Sequence, residues 1–178
     1  MRLRQFVFAV FALMIAVTVQ AASREEIDAK ADEALQTLYQ ESQAARELAL
    51  QAKGVLVFPE VYKAGVGIGG EYGEGALRIG GQTVDYYSTA SASIGLQLGA
   101  QIKSQVVLFM TQEALDKFRT SKGWEAGVDG SVAIATLGTG GTIDTHTLQQ
   151  PIIGFVFSNK GLMANLTLEG SKITRMDK

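Results

Sequence analysis

Between Ser23 and Lys53 the apolar positions fall at helical spacing. Ile27, Ala31, Ala34, Leu35 and Leu38 form one stripe, which Ala45, Leu48, Ala49 and Ala52 continue. Ser23 followed by Glu26 has the form of a capping box, and Glu25 and Asp28 add negative charge to the first turn. Ser42 and Gln43 interrupt the stripe, so this stretch predicts either one bent helix or a helix pair, with Gly54 as its C-terminal cap. From Val55 the period changes to two. Val55 to Phe58 is a short apolar strand stopped by Pro59. In Lys63 to Tyr72, Ala64, Val66 and Ile68 alternate with Gly65, Gly67 and Gly69. Gly73 and the Gly80-Gly81 pair read as turns.

Ala90 to Lys103 is the clearest strand, with Ala92, Ile94, Leu96, Leu98 and Ala100 on one face. Gln105 to Met110 is a further strand. Thr111 caps a short helix to Thr120 that turns Leu115 and Phe118 inward and ends in Lys117, Arg119 and Lys122. Val128 to Leu137, Ile152 to Phe157 and Leu162 to Leu168 complete the strands, the last two joined by a turn at Ser158-Asn159-Lys160-Gly161. The pattern predicts an α+β fold. A helix or bent helix pair packs on a strongly twisted antiparallel sheet or partial barrel, with one short helix inserted.

The first residues change the picture. Arg2 and Arg4 precede an uncharged apolar run from Phe6 to Val19, and Val19 and Ala21 satisfy the small-residue rule for cleavage. This run is shorter than the roughly 18 residues of a spanning helix. Residues 1–21 therefore read as a secretory signal peptide, and residues 22–178 as a single domain. Cleavage after Ala21 leaves 14 basic residues against 18 acidic ones, a formal charge of −4 in place of −2. A broad electrostatic grip on nucleic acid or on an anionic bilayer is not expected of such a chain. The sequence holds no cysteine, which excludes both a disulfide and a lipid-modified cysteine.

All 20 glycines lie between Gly54 and Gly170. Glycine weakens strands, so its density in β-like sequence points to backbone lying close to another strand, a helix or a ligand. Gly65, Gly67 and Gly70 match GxGxxG, but a dinucleotide site needs those glycines to open a helix, and the next residues, EYGEGALRIGG, read as a hairpin. His146 is the single histidine, which excludes a multi-histidine metal centre. Among Glu60, Glu71, Glu74, Glu125, Asp129 and Asp144 no spacing selects an acid–base pair. Asn165 fits a glycosylation acceptor pattern but falls within a strand. No cofactor motif is present, and none of these residues points to an enzyme.

Five segments carry a resemblance: AKGVLVFPEVYKAGVGIGGEYGEG (52–75), SIGLQLGAQ (93–101), LFMTQEALDKF (108–118), GWEAGVD (123–129) and PIIGFVFSNKGLMANLTLEGSKITR (151–175). In this order they resemble the SYLF family, also called the Ysc-type actin-binding domain. The resemblance implies a lipid-binding capacity. Eukaryotic members bind membrane phosphoinositides and some bind or bundle actin, whereas bacterial members are exported envelope proteins. With an export signal, this chain is expected in the periplasm, where actin is not a partner.

Two functions are expected. The first is a periplasmic, non-enzymatic protein that binds lipid or a lipid surface of the envelope on its glycine-lined sheet. Lys63, Arg78 and Lys103 are the candidates for an anionic headgroup. Trp124 is either buried core or a rim residue touching lipid. The second is a structural or interaction protein that pairs, without bound lipid, with another envelope protein or with itself through sheet edges.

Overall fold

The computed structural model describes residues 21–136, 142–158, 161–162 and 168–178, with backbone alone for 66, 67, 93–100, 161 and 162. The expected signal peptide up to residue 20, the turn residues 159–160 and the predicted strand through 163–167, Asn165 included, lie outside the described residues.

Two helices lead, α1 (Arg24–Glu41) and α2 (Gln43–Gln51). The Ser23 hydroxyl accepts the amide of Glu26 at 3.1 Å, the N-terminal half of the expected capping box. Ser42 explains the break: its backbone N–H closes α1 on Leu38, while its side chain accepts from Ala45 to open α2. Gly54 is not the cap. The second helix ends at Ala52, and Gly54 starts β1, where a Cβ would lie 2.7 Å from Leu115.

The strands are longer than the pattern predicts. β1 (Gly54–Ile79) and β2 (Gln82–Phe109) form one antiparallel hairpin closed by Gly80 and Gly81, at φ of 61° and 80°. Both turn residues are left-handed, as a two-residue type I′ connection requires. Pro59 does not end the strand; it lies in a register shift between Phe58 and Val61. A further helix, α3 (Gln112–Thr120), comes next, then β3 (Trp124–Glu125), β4 (Ala133–Ile134), the short α4 (Thr145–Leu148), β5 (Ile152–Ser158), β6 (Gly161–Leu162) and β7 (Lys172–Met176). Among the described residues of the strand expected over Val128 to Leu137 only β4 forms, and β7 is an element that the residue pattern does not predict.

These strands make a seven-stranded mixed sheet around β2. One edge of β2 pairs with β1 along the hairpin; the other takes β7 at Tyr86–Ala90 and β5 at Ser104–Phe109. Among the described residues every pairing between strands is antiparallel except β4 on β5. Core lies on both faces where β1, β2 and β5 meet. Val57, Val106, Leu108, Ile153 and Phe155 pack against the small residues Ala31, Ala34, Ala45 and Ala49 of the helices. Leu56, Phe58, Val107 and Phe109 pack with Leu77, Leu115 and Phe118 on the other side. Burial on both faces is why VLVF and QVVLF are continuous apolar runs. Each fully buried leucine there, such as Leu38, contributes about 2 kcal/mol.

β1 also doubles back on itself. A Cβ at Gly65, whose φ is 151°, would stand 2.6 Å from the carbonyl oxygen of Ile68. A Cβ at Gly73 would stand 2.7 Å from that of Glu60, and one at Gly75 would stand 2.6 Å from the Phe58 ring. The glycines let the two halves of one strand approach backbone to backbone. What covers Gly73 and Gly75 is thus the strand's own beginning rather than a helix or a ligand.

Candidate functional site

The doubling back decides which face of the hairpin meets solvent. Gly73 and Gly75 turn inward and are buried, so the alternate positions turn outward around the bend. Tyr62 is 49 % exposed, Ile68 78 % and Tyr72 44 %, and Ile102, the direct cross-strand partner of Tyr62, is 55 % exposed. Ala64 and Ala92 are exposed on the same alternation. Along this outward face of the bend the described side chains carry no charge. The period-two pattern identified the alternation but not which set faced out, because that depends on the fold-back at Gly65–Gly69.

Charges flank the face instead. The Tyr62 hydroxyl donates to Glu60 at 2.7 Å, and Lys30 of α1 bonds the same carboxylate at 2.9 Å and Glu26 at 3.1 Å. The Tyr62 hydroxyl and the Lys30 ammonium hold the Glu60 carboxyl below the usual carboxylate range against the opposing effect of burial. The pairing with Glu60 and Glu26 raises Lys30, and the bond to Glu60 raises the Tyr62 phenol. The Tyr72 hydroxyl donates to Glu74 at 3.3 Å, and burial first, then that carboxylate's charge and hydrogen bond, raise its phenol.

Two grooves run along α1 beside this face. The larger, about 720 Å³, is lined among others by Ala34, Pro59, Ile102, Lys103 and Phe157. The smaller, about 380 Å³, reaches from Ala21 and Ile27 to Tyr62 and Tyr72. Both include Lys30, Pro59 and Glu60, so the Lys30–Glu60 ion pair stands where they meet.

The four residues expected to hold a ligand are not brought together. Lys103 lines the larger groove, but its ammonium is 2.9 Å from Glu71, a carboxylate that also accepts from Ser91. Lys63 stands opposite Gln101, diagonal to Lys103 on the same face of the ladder. Arg78 sits at the far end of the hairpin, where it bonds Asp32 and donates to the backbone carbonyl of Asp28 at 3.0 Å. Asp28 in turn accepts from Thr83 and Tyr86, both at 2.8 Å, and burial with this bond pushes the Tyr86 phenol up to about 12. That network fastens α1 to the hairpin. Trp124 takes the core alternative: it is 3 % exposed, and its ring meets Phe118 edge-on at 5.8 Å. The rim position is corrected, because β3 pairs Trp124 with Ile173 of β7 and so draws it into the aromatic cluster.

Sequence reasoning missed Lys30, Tyr62, Tyr72, Ile68 and Ile102. Two tyrosines ten residues apart on either side of a glycine run were the available signal, with rings suited to a half-wet boundary.

Among the described residues no group of three or more His, Asp or Glu side chains is placed to hold a metal, and no helix is long and apolar enough to cross a membrane. A search of curated proteins finds no match to the chain. The family model described as Ysc84, Las17-binding protein actin regulator, matches residues 90–178, half of the 178-residue chain. The chain belongs to the Ysc84, or SYLF, family.

Proposed function

We propose that this protein is an exported, non-enzymatic member of its family that binds a lipid surface of the cell envelope through the bend of its hairpin. The observation that carries this reading is the exposed, charge-free face bearing Tyr62, Ile68, Tyr72 and Ile102. Contiguous apolar surface of this kind marks a contact with a partner or a membrane. Ile68 enters the acyl boundary, and the two tyrosines, their hydroxyls turned to carboxylates, sit at headgroup level. The family description names an actin regulator. The signal-peptide pattern of residues 1–21 favours the envelope over a compartment that holds actin.

Apolar burial rather than charge drives the binding, because the processed chain is acidic. The protein is mixed with vesicles of phosphatidylcholine alone, then with vesicles carrying phosphatidylglycerol, and co-flotation is measured at low and high salt. Flotation with both, little changed by salt and lost in Ile68→Asp/Ile102→Asp, is the expected result. Equal flotation of the double variant removes the bend as the contact. No flotation of either, with a single protein crosslinked at residue 68 in cells, establishes the competing reading of an envelope interaction protein.

A further inference from the structure

The start of the described chain meets a carboxylate. The backbone nitrogen of Ala22 lies 3.1 Å from Glu74 Oε2. Lys178 stands beside both, with its ammonium 3.7 Å from the same oxygen and bonded to the Ala22 carbonyl. The side chains of Glu74 and Lys178 are only 13 % and 14 % exposed. We infer that Glu74 is the built counter-ion for the α-ammonium group created when a signal peptidase cuts between Ala21 and Ala22. This inference rests on the export half of the proposed function and is independent of lipid binding.

Hydrolysis of that peptide bond adds one water. The leader leaves with the carboxylate of Ala21, and the Ala22 nitrogen gains protons to become an ammonium. A neutral amide donor facing Glu74 is thereby replaced by a charged one, and such bonds are roughly twice as strong. The surroundings suit the added charge. Around the smaller groove stand Glu26, Glu60 and Glu74 with Lys30, and Lys178 lies beside Glu74, so carboxylates predominate where the new ammonium arises. A counter-ion is needed, because Ala22 lies next to the Ser23 cap of α1, where the helix dipole repels a positive group. The leader also departs from the groove itself, since Ala21 lines it together with Tyr62 and Tyr72.

The test compares the processed chain, residues 22–178, carrying a free α-amino group with the same chain Nα-acetylated. Each is made with Glu74 and with Glu74→Gln. Acetylation is expected to lower the thermal midpoint by about 2–4 °C with Glu74 present. The loss should disappear with Glu74→Gln. Should the glutamine variant fail to fold, acylation rate against pH reads the pairing in the unaltered chain, which should titrate above the ~7.7–8.0 usual for α-amino groups. Equal midpoints, or an ordinary titration, overturn the ion pair. The mass of the protein recovered from the envelope tests the premise separately. A start at Ala22 is expected, and a start elsewhere overturns the inference without bearing on the pairing itself.

Discussion

Gly73 and Glu60, thirteen positions apart on the same strand, are in backbone contact: a methyl group on Gly73 would sit 2.7 Å from the Glu60 carbonyl and 2.9 Å from Val61 Cγ2. Backbone cannot rotate aside as a side chain can. Gly73→Ala is therefore expected to cost about 1–3 kcal/mol. Gly70→Ala is the control. Its Cβ would meet only Ser91 O at 3.5 Å, an ordinary contact, and its φ is not left-handed, so the change should be neutral or slightly stabilising. Urea unfolding of the two variants checks the difference, and equal midpoints would contradict the doubled strand.

The Lys30–Glu60–Tyr62 group predicts a pH response. The folded protein holds the Glu60 carboxyl below its ordinary value, chiefly through the Tyr62 hydroxyl and Lys30. A depressed carboxylate stabilises the fold above its unfolded value, about 4.3, and that contribution disappears as pH falls through the lower folded value. Glu60→Gln should thus reduce the thermal midpoint at pH 7 and bring it closer to that of the parent as pH falls below the ordinary carboxylate range. A constant gap between pH 7 and pH 2 would mean that Glu60 does not titrate in this way.

As the single tryptophan, Trp124 reports on the core. Its emission should be blue-shifted and poorly quenched by iodide, since it is 3 % exposed within the Tyr87–Phe109–Phe118 cluster. Vesicle binding should leave that emission unchanged. In Trp124→Phe/Ile68→Trp, vesicles should shift it to the blue. A response of Trp124 itself would relocate the proposed membrane contact.

At the far end of the hairpin, Asp28 receives the hydroxyls of Thr83 and Tyr86, each at 2.8 Å. Asp28→Ala leaves those donors unpaired and should cost about 1–3 kcal/mol, against about 1 kcal/mol for Tyr86→Phe. Chemical denaturation of the two variants and of the double variant measures the coupling. A double variant that shows the plain sum of the single losses would place the two residues outside one network.

Local rules read much of this molecule from the chain. Ser23 and Thr111 each cap a helix where their neighbours indicated, the interruption at Ser42 is the break between two helices, and Gly80-Gly81 forms the turn. These features depend on bonds within a few residues. The expected strand breaks at Pro59 and Gly73 were wrong for a common reason: both residues are tolerated by distant partners, a register shift against Lys103 at one and the carbonyl of Glu60 at the other. The headgroup candidates were chosen by charge and proximity to glycine. Arg78 and Lys103 instead found carboxylates at Asp32 and Glu71, distant in the chain. The pair Tyr62 and Tyr72 is visible in the chain, but its exposure depends on the fold-back, which period two cannot express.

The paired left-handed glycines at 80 and 81 also set an order of assembly. Ile79 meets Gln82 first, and each later pair, out to Gly54 with Phe109, closes only a short gap once its predecessor is formed. The longest element of the fold thus zips from one local nucleus. By contrast, β7 and β5 must travel from distant chain to reach Ala90 and Phe109. Mutations near the turn should therefore slow folding, whereas those in β7 should chiefly speed unfolding.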